Sequence, residues 1–191
     1  SILDAYHAER HNIGQKVSNA AAGLAAGQHE ITQDIRLRSA TEQPGDVGIA
    51  ARRHIRNRLL DCDSQQFNAE GLNFGLHYDA SPIIIYDDGE PPAFAVSEYT
   101  PSTVPGCRVP HFVFAETGTP LLDHLGNGFT LLVSADDVDV SGFEEAAAAC
   151  GLPLQIIDIA HEPKAKRFDD HMLLLVRPDD RIAWRSQTVP T

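Results

Sequence analysis

Cys107 lies between Gly106 and Arg108, with His111 four residues further on. A guanidinium and an imidazole beside a thiol can lower its pKa and make a nucleophilic or peroxide-sensing thiolate. The favoured reading is the blander one, in which Arg108 and His111 organise a loop or serve an interface, because five guanidinium donors suit an irregular backbone. His7 and His11 are four apart and would share one face of a helix, the spacing of a metal clamp. Such a clamp needs a third ligand, and nothing in the sequence brings His29 or His54 nearby, so the pair is read as a surface or interface feature. Arg52, Arg53, Arg56 and Arg58, with His54 among them, form the only basic cluster. It could dock an acidic partner or a cofactor phosphate; a solvated helix face is favoured because apolar positions are interleaved with it. Asp136, Asp137 and Asp139 precede a helix whose positive N-terminus they would favour.

Dinucleotide chemistry needs a glycine-rich turn between a strand and a helix, where bare backbone can approach a pyrophosphate. Gly126 and Gly128 supply two of the three glycines, but Leu131 stands where the third belongs, and the segment leads into an apolar, strand-like run. A tight turn is the expectation. The three cysteines, Cys62, Cys107 and Cys150, lie far apart and form no Cys-x-x-Cys pair, so free thiols are expected rather than a zinc site, a disulfide framework or a dithiol redox centre.

Fifteen basic against 27 acidic residues give a net charge of −12. That balance repels phosphate backbones and anionic lipid, so nucleic acid and membrane are poor partners. No apolar run approaches the roughly 20 residues that span a bilayer, and the N-terminus lacks the pattern of a signal peptide, so a cytoplasmic location is the default.

The elements that must position these groups fall into two styles. From Ile2 to about Ala26, Tyr6, Ile13, Val17, Ala20, Ala21 and Leu24 recur at helical spacing. Gly14, Gly23 and Gly27 each weaken an interior helical position by about 1 kcal/mol, so this stripe is expected to be buried against something. Pro44-Gly45 marks a break; Asp46 is expected to cap a second helix to about Leu60, burying Ile49, Ile55, Leu59 and Leu60. Residues 82–86 suggest a strand, followed by a proline-rich linker. Beyond Pro110 the pattern is α/β. Strands are expected at 112–114, 129–134 and 154–159, with a helix over 143–150 opened by a Ser141/Glu144 capping box and stopped by Gly151. Residues 129–159 then form a βαβ crossover, and 172–176 with 182–184 form a hairpin around Arg177-Pro178-Asp179-Asp180-Arg181. A βαβ crossover plus a β-hairpin is the skeleton of a thioredoxin-like domain. The fold expected is thus α/β: a helical segment over 1–80, a strand and Pro-rich linker over 81–110, and a thioredoxin-like domain over 111–191.

Several phrases are more specific than these patterns: Pro105-Gly106-Cys107-Arg108-Val109-Pro110-His111, Leu175-Val176-Arg177-Pro178-Asp179-Asp180-Arg181-Ile182-Ala183-Trp184-Arg185, Tyr6-His7-Ala8-Glu9-Arg10, Gly71-Leu72-Asn73-Phe74-Gly75-Leu76-His77-Tyr78 before Ser81-Pro82, and Leu121-Leu122-Asp123-His124-Leu125-Gly126. Together they resemble the C-terminal region of FAD-dependent aromatic-ring monooxygenases, the phenol and chlorophenol hydroxylase group. The resemblance implies a redox-inactive thioredoxin-like domain, and a preceding flavin and substrate domain that this chain does not include. In the whole enzyme it implies FAD, NAD(P)H and oxygen, and insertion of one oxygen atom into a phenol-like ring. It implies a first helix that packs on the missing domain, with Glu9 and Arg10 pairing locally or across to it; Tyr6, Arg10, Arg108 and His111 are the interface or loop-organising candidates. The family's loop does not require Cys at position 107, and Gly is usual where Asp180 stands. The family's second flavin motif, a Gly-Asp pair, has only Gly45-Asp46 as a match, read as a helix cap.

The expectation is therefore a fragment, trimmed at both ends, that holds no cofactor and no catalytic residue of its own. Two alternatives stay open: a free-standing binding or dimerisation module, in which a homodimer covers the apolar stripe, and a one-cysteine thiol enzyme acting through Cys107.

Overall fold

The computed structural model describes residues 2–33, 35–168 and 171–190. The chain divides into two compact units, one of residues 1–9, 76–93 and 100–191, the other of residues 10–75 and 94–99. Both differ from a sequential partition at 80 and 110, because each unit recruits pieces from distant parts of the chain.

The helical unit contains most of α1 (Ile2–Gln33), then α2 (Ile35–Thr41), α3 (Gly45–Phe67) and α4 (Glu70–Phe74). α1 runs a turn or two past its expected end, since Gly14 and Gly23 face open space and their cost is carried by uninterrupted backbone hydrogen bonding. At Gly27 a side chain would meet the Cys62 sulfur at 3.5 Å, so this glycine marks where α1 and α3 approach. Of the residues expected to be buried, Ile13, Leu24 and Ile55 are half-buried. Tyr6 and Val17 are exposed within the chain, as are Ile49, Leu59 and Leu60 on α3. Asp46 is not the cap of α3: Pro44 holds that position without a side-chain bond, and Asp46 lies in the first turn, where its charge favours the helix N-terminus. α4 is covered by residues 94–99. Leu72 N–H donates to the Val96 carbonyl at 3.0 Å, and a Cβ on Gly71 would fall 1.9 Å from the Ala95 oxygen, so only glycine fits.

The other unit is built on a four-stranded sheet. Its strands are β1 (Phe129–Val133), β2 (Leu154–Asp158), β3 (Leu173–Val176) and β4 (Ile182–Ser186), ordered β2-β1-β3-β4. β1 and β2 are parallel, joined through α6 (Ser141–Cys150), while β3 is antiparallel to both β1 and β4. This is the crossover plus hairpin expected from the sequence. Alternation splits the strands between two covered faces. Leu132, Leu174, Val176 and Ile182 pack with Phe112, Leu121, Ile159 and Phe168 on one; Leu131, Val133 and Leu173 pack with Val140, Phe143 and Trp184 on the other. Full burial of each such side chain stabilises by about 1.5–3 kcal/mol.

Three local expectations are corrected. Residues 82–86 are not a strand: Ser81 Oγ accepts the Ile83 N–H at 3.3 Å in a turn at Pro82, and one bond, from Ile85 N–H to the Ala183 carbonyl, reaches β4. Residues 112–114 make only an isolated bridge between Val113 and Pro120, beside α5 (Leu121–His124), because the chain turns back after Phe114. The capping box does not form. Val140 is the N-cap of α6, and the Asp139 carboxylate accepts the Ser141 N–H at 3.0 Å; the Ser141 hydroxyl, and after it this N–H, hold the Asp139 pKa below the usual value. Gly151 does end α6, at φ +64°.

Candidate functional site

The hairpin turn and the first helix converge on a buried ionic cluster. Asp180 adopts φ +62°, the left-handed conformation that lets Arg177 N–H reach the Arg181 carbonyl at 2.7 Å across the turn. Arg177, at the end of apolar β3, is thereby fixed with its guanidinium inside the unit. Its Nη1 and Nη2 donate to the two carboxylate oxygens of Glu9 at 2.6 and 3.1 Å, while Nε and Nη2 donate to Asp179 at 3.0 and 3.1 Å. Glu9 also accepts the Ser81 hydroxyl at 2.6 Å. Both Glu9 and Arg177 are less than 10% exposed. Burial alone would lower the Arg177 pKa, but the hydrogen bonds and charges of Glu9 and Asp179 outweigh it and raise it.

Tyr78 closes the cluster. Its ring carries the Arg177 and Arg181 guanidiniums at 5.4 and 5.0 Å from the centroid, and its hydroxyl donates to Asp179 at 3.2 Å. Arg181 donates to the Leu76 carbonyl, yet burial, the dominant effect, pulls its pKa below the usual guanidinium value. Gly106 sits against this aromatic residue at φ +94°, with a hypothetical Cβ only 2.4 Å from the Tyr78 oxygen. Arg108 Nη2 pairs with Asp180 at 3.2 Å. Most of the distinctive sequence phrases thus meet around one set of charges. Every carboxylate in it is paired to a cation or a hydroxyl, an arrangement suited to holding segments together.

The individual candidates separate. Arg108 is half-buried and reaches the hairpin turn. Cys107 is buried, and desolvation, ahead of the opposing Ser102 hydrogen bond, pushes its thiol pKa up; the neutral form, not a thiolate, is favoured. Tyr6 and Arg10 are exposed on α1, and His111 is exposed between buried Pro110 and Phe112. The inward residues of that first turn are Ala5 and Glu9, one helical turn apart. Sequence reasoning passed over Glu9 as a buried partner, although a Glu one turn beyond a small residue and an Arg at the end of an apolar strand were both visible. His7 and His11 are exposed, and the described residues contain no group of three or more metal-ligating side chains. In the basic cluster, Arg52 donates to the Thr41 carbonyl at 2.6 Å, Arg58 lies 3.7 Å from Glu30, and Arg53, His54 and Arg56 are exposed.

The glycine motifs nearest to a dinucleotide turn are used for packing and turns. A side chain at Gly128 would meet the Pro153 oxygen at 2.6 Å, so this glycine serves the close passage of β1 beside the start of β2. Gly126 faces the Gln155 side chain, and neither glycine opens a helix. Gly45, at φ +73°, starts α3 without neighbours within 4 Å of its Cβ position.

Residues 102–191 match the family described as aromatic-ring hydroxylase, C-terminal, and this part of the chain belongs to it. An FAD-dependent monooxygenase of Emericella nidulans is 33% identical over an alignment of 197 positions that covers 99% of this chain and 31% of that protein. A phenol 2-monooxygenase of a Pseudomonas species is 25% identical over 220 residues, covering 98% of this chain and 35% of it. The solved structure of the rebeccamycin biosynthetic enzyme RebC with reduced flavin superposes with a TM-score of 0.81 at 28% identity, covering 99% of this chain and 34% of that one. The chain spans about a third of the length of these relatives. No helix among the described residues is long and apolar enough to cross a membrane.

Proposed function

We propose that this chain serves as the C-terminal region of an NAD(P)H- and oxygen-dependent FAD monooxygenase of aromatic rings, with a structural and interaction role and no catalytic residue of its own. The observation that carries the reading is the match along almost the whole chain to a third of an FAD-dependent monooxygenase. The packing roles of Gly126 and Gly128 support it, because the nearest match to a dinucleotide turn in the chain is used to bring β1 beside β2. Its partner is then a flavin and substrate domain, and the exposed apolar residues of α1 and α3 are the surface offered to it. A phenol-like substrate follows from the named activity of the Pseudomonas relative. The alternative of a free-standing dimerisation module uses the same exposed helices, whereas the buried, neutral Cys107 weighs against a thiol enzyme.

The test is to incubate the purified chain with FAD and NADPH and pass it through gel filtration. No visible flavin spectrum should accompany the protein and no NADPH should be consumed. Stoichiometric yellow flavin in the protein peak would overturn the reading. Measuring mass in the same run separates the monomer expected for a region lacking its partner from a self-sufficient dimer.

A further inference from the structure

We infer that residues 2–9 act as an intramolecular ligand of the sheet unit: Glu9, gripped by Arg177, is required for the β3–β4 hairpin to keep its native form, so the folding unit includes segments well outside residues 102–191.

The first support is at the sheet edge. β4 is the terminal strand, and an open edge of that kind is normally covered or blunted. Here short pieces cover it. Ile85 N–H donates to Ala183, Gly106 N–H donates to Ile182 at 2.8 Å, and Ile182 N–H donates to Cys107 at 3.0 Å. Gly106 in turn accepts the Tyr78 N–H at 3.1 Å, and Asp87 takes the Arg185 guanidinium at 2.6 Å. The second support is in the interior, where Ala5, Leu76, Tyr78 and Ile84 are all buried. The third is charge. Arg177 has two carboxylate partners, and the second, Asp179, is 37% exposed on its own turn. Without Glu9 the guanidinium would keep one partially wet partner in an otherwise closed site, and a buried charge stripped of its partner is strongly destabilising. The hairpin then opens to let water reach Arg177. A first helical turn alone has no such stability to contribute, since short helices are marginal in water; its effect comes from the carboxylate it delivers.

Native-state amide hydrogen exchange on the full chain tests this at Leu174 and Ile182. Glu9→Ala should accelerate exchange at both by at least about 30-fold, as expected for sub-global opening of a unit that has lost a buried partner. The double variant Glu9→Leu with Arg177→Met, which removes both charges, should return those rates to within about tenfold of the parent. Acceleration confined to amides of residues 5–8, with Leu174 and Ile182 unchanged, would show that the helix end is a passenger and overturn the inference. Should Glu9→Ala give no soluble protein, Glu9→Gln is read in the same way: faster exchange at Leu174 supports the inference and an unchanged rate sinks it.

Discussion

The sheet unit places charges inside and seals apolar surface; the helical unit does neither. Glu9, Arg177 and Thr130 are buried with two full layers of aliphatic and aromatic side chains in the first. In the second, Ile31 is the one buried hydrophobic residue among those described, while Val47, Ile49, Leu60 and Phe67 are more than half exposed. Amphipathic spacing specifies which face of a helix would be covered and says nothing of whether a neighbour exists to cover it. Strands have no such freedom, because their backbone groups require a partner strand, and the partner brings the core with it.

Denaturation followed by Trp184, the only tryptophan, reads the sheet unit directly. Arg177→Ala should have the largest effect there, lowering stability by about 3–5 kcal/mol by leaving the Glu9 carboxylate buried without its cation. A loss below ~1 kcal/mol would mean that water already reaches the cluster. Leu174→Ala follows at about 2–5 kcal/mol, set against Leu60→Ala on α3 at no more than ~0.5 kcal/mol in the thermal transition of the whole chain. Equal losses at the two leucines would erase the contrast between the units. Gly106→Ala is expected to cost about 1–3 kcal/mol, since an L-residue at φ +94° is strained and its methyl meets the Tyr78 oxygen. Replacement without loss would show that the loop relaxes.

The smallest effect concerns acid. The Arg185 hydrogen bond, first among several causes, holds the Asp87 pKa below its ordinary 3.8. The unfolded chain therefore binds more protons in the acid range, and this contribution is complete above pH 3.8 and lost as pH falls through the lower folded value. Asp87 is about one-third exposed, so solvent screening keeps the contribution below ~1 kcal/mol. Asp87→Asn should flatten the stability profile between pH 4 and 2 by that amount, checked by urea midpoints; an unchanged slope would assign the acid sensitivity elsewhere.

The βαβ crossover and the hairpin were legible because strand runs, Gly151 and the Pro178-led turn act locally. Residues 82–86 misled because a β-branched run reads as a strand whether or not Pro82 and Ser81 turn it. The Ser141/Glu144 box misled for a related reason: Asp139, two residues earlier, competes for the same N–H. Within the cluster, Glu9 and Arg177 are 168 residues apart, and no local pattern registers a bond of that span. The identity of the helix's inward face depended on that distant guanidinium.

The short return of residues 94–99 to α4 has a consequence for exchanging parts between relatives. Moving along the chain, one unit gives way to the other after residues 9, 75, 93 and 99, so no single crossover point separates them. A chimera spliced between 10 and 99 inherits at least one unit as a hybrid of two parents, and one spliced between 71 and 95 must satisfy the Gly71 approach to the Ala95 carbonyl with unrelated halves. Recombination can therefore diversify the two units freely only by substitution, or as one inherited block.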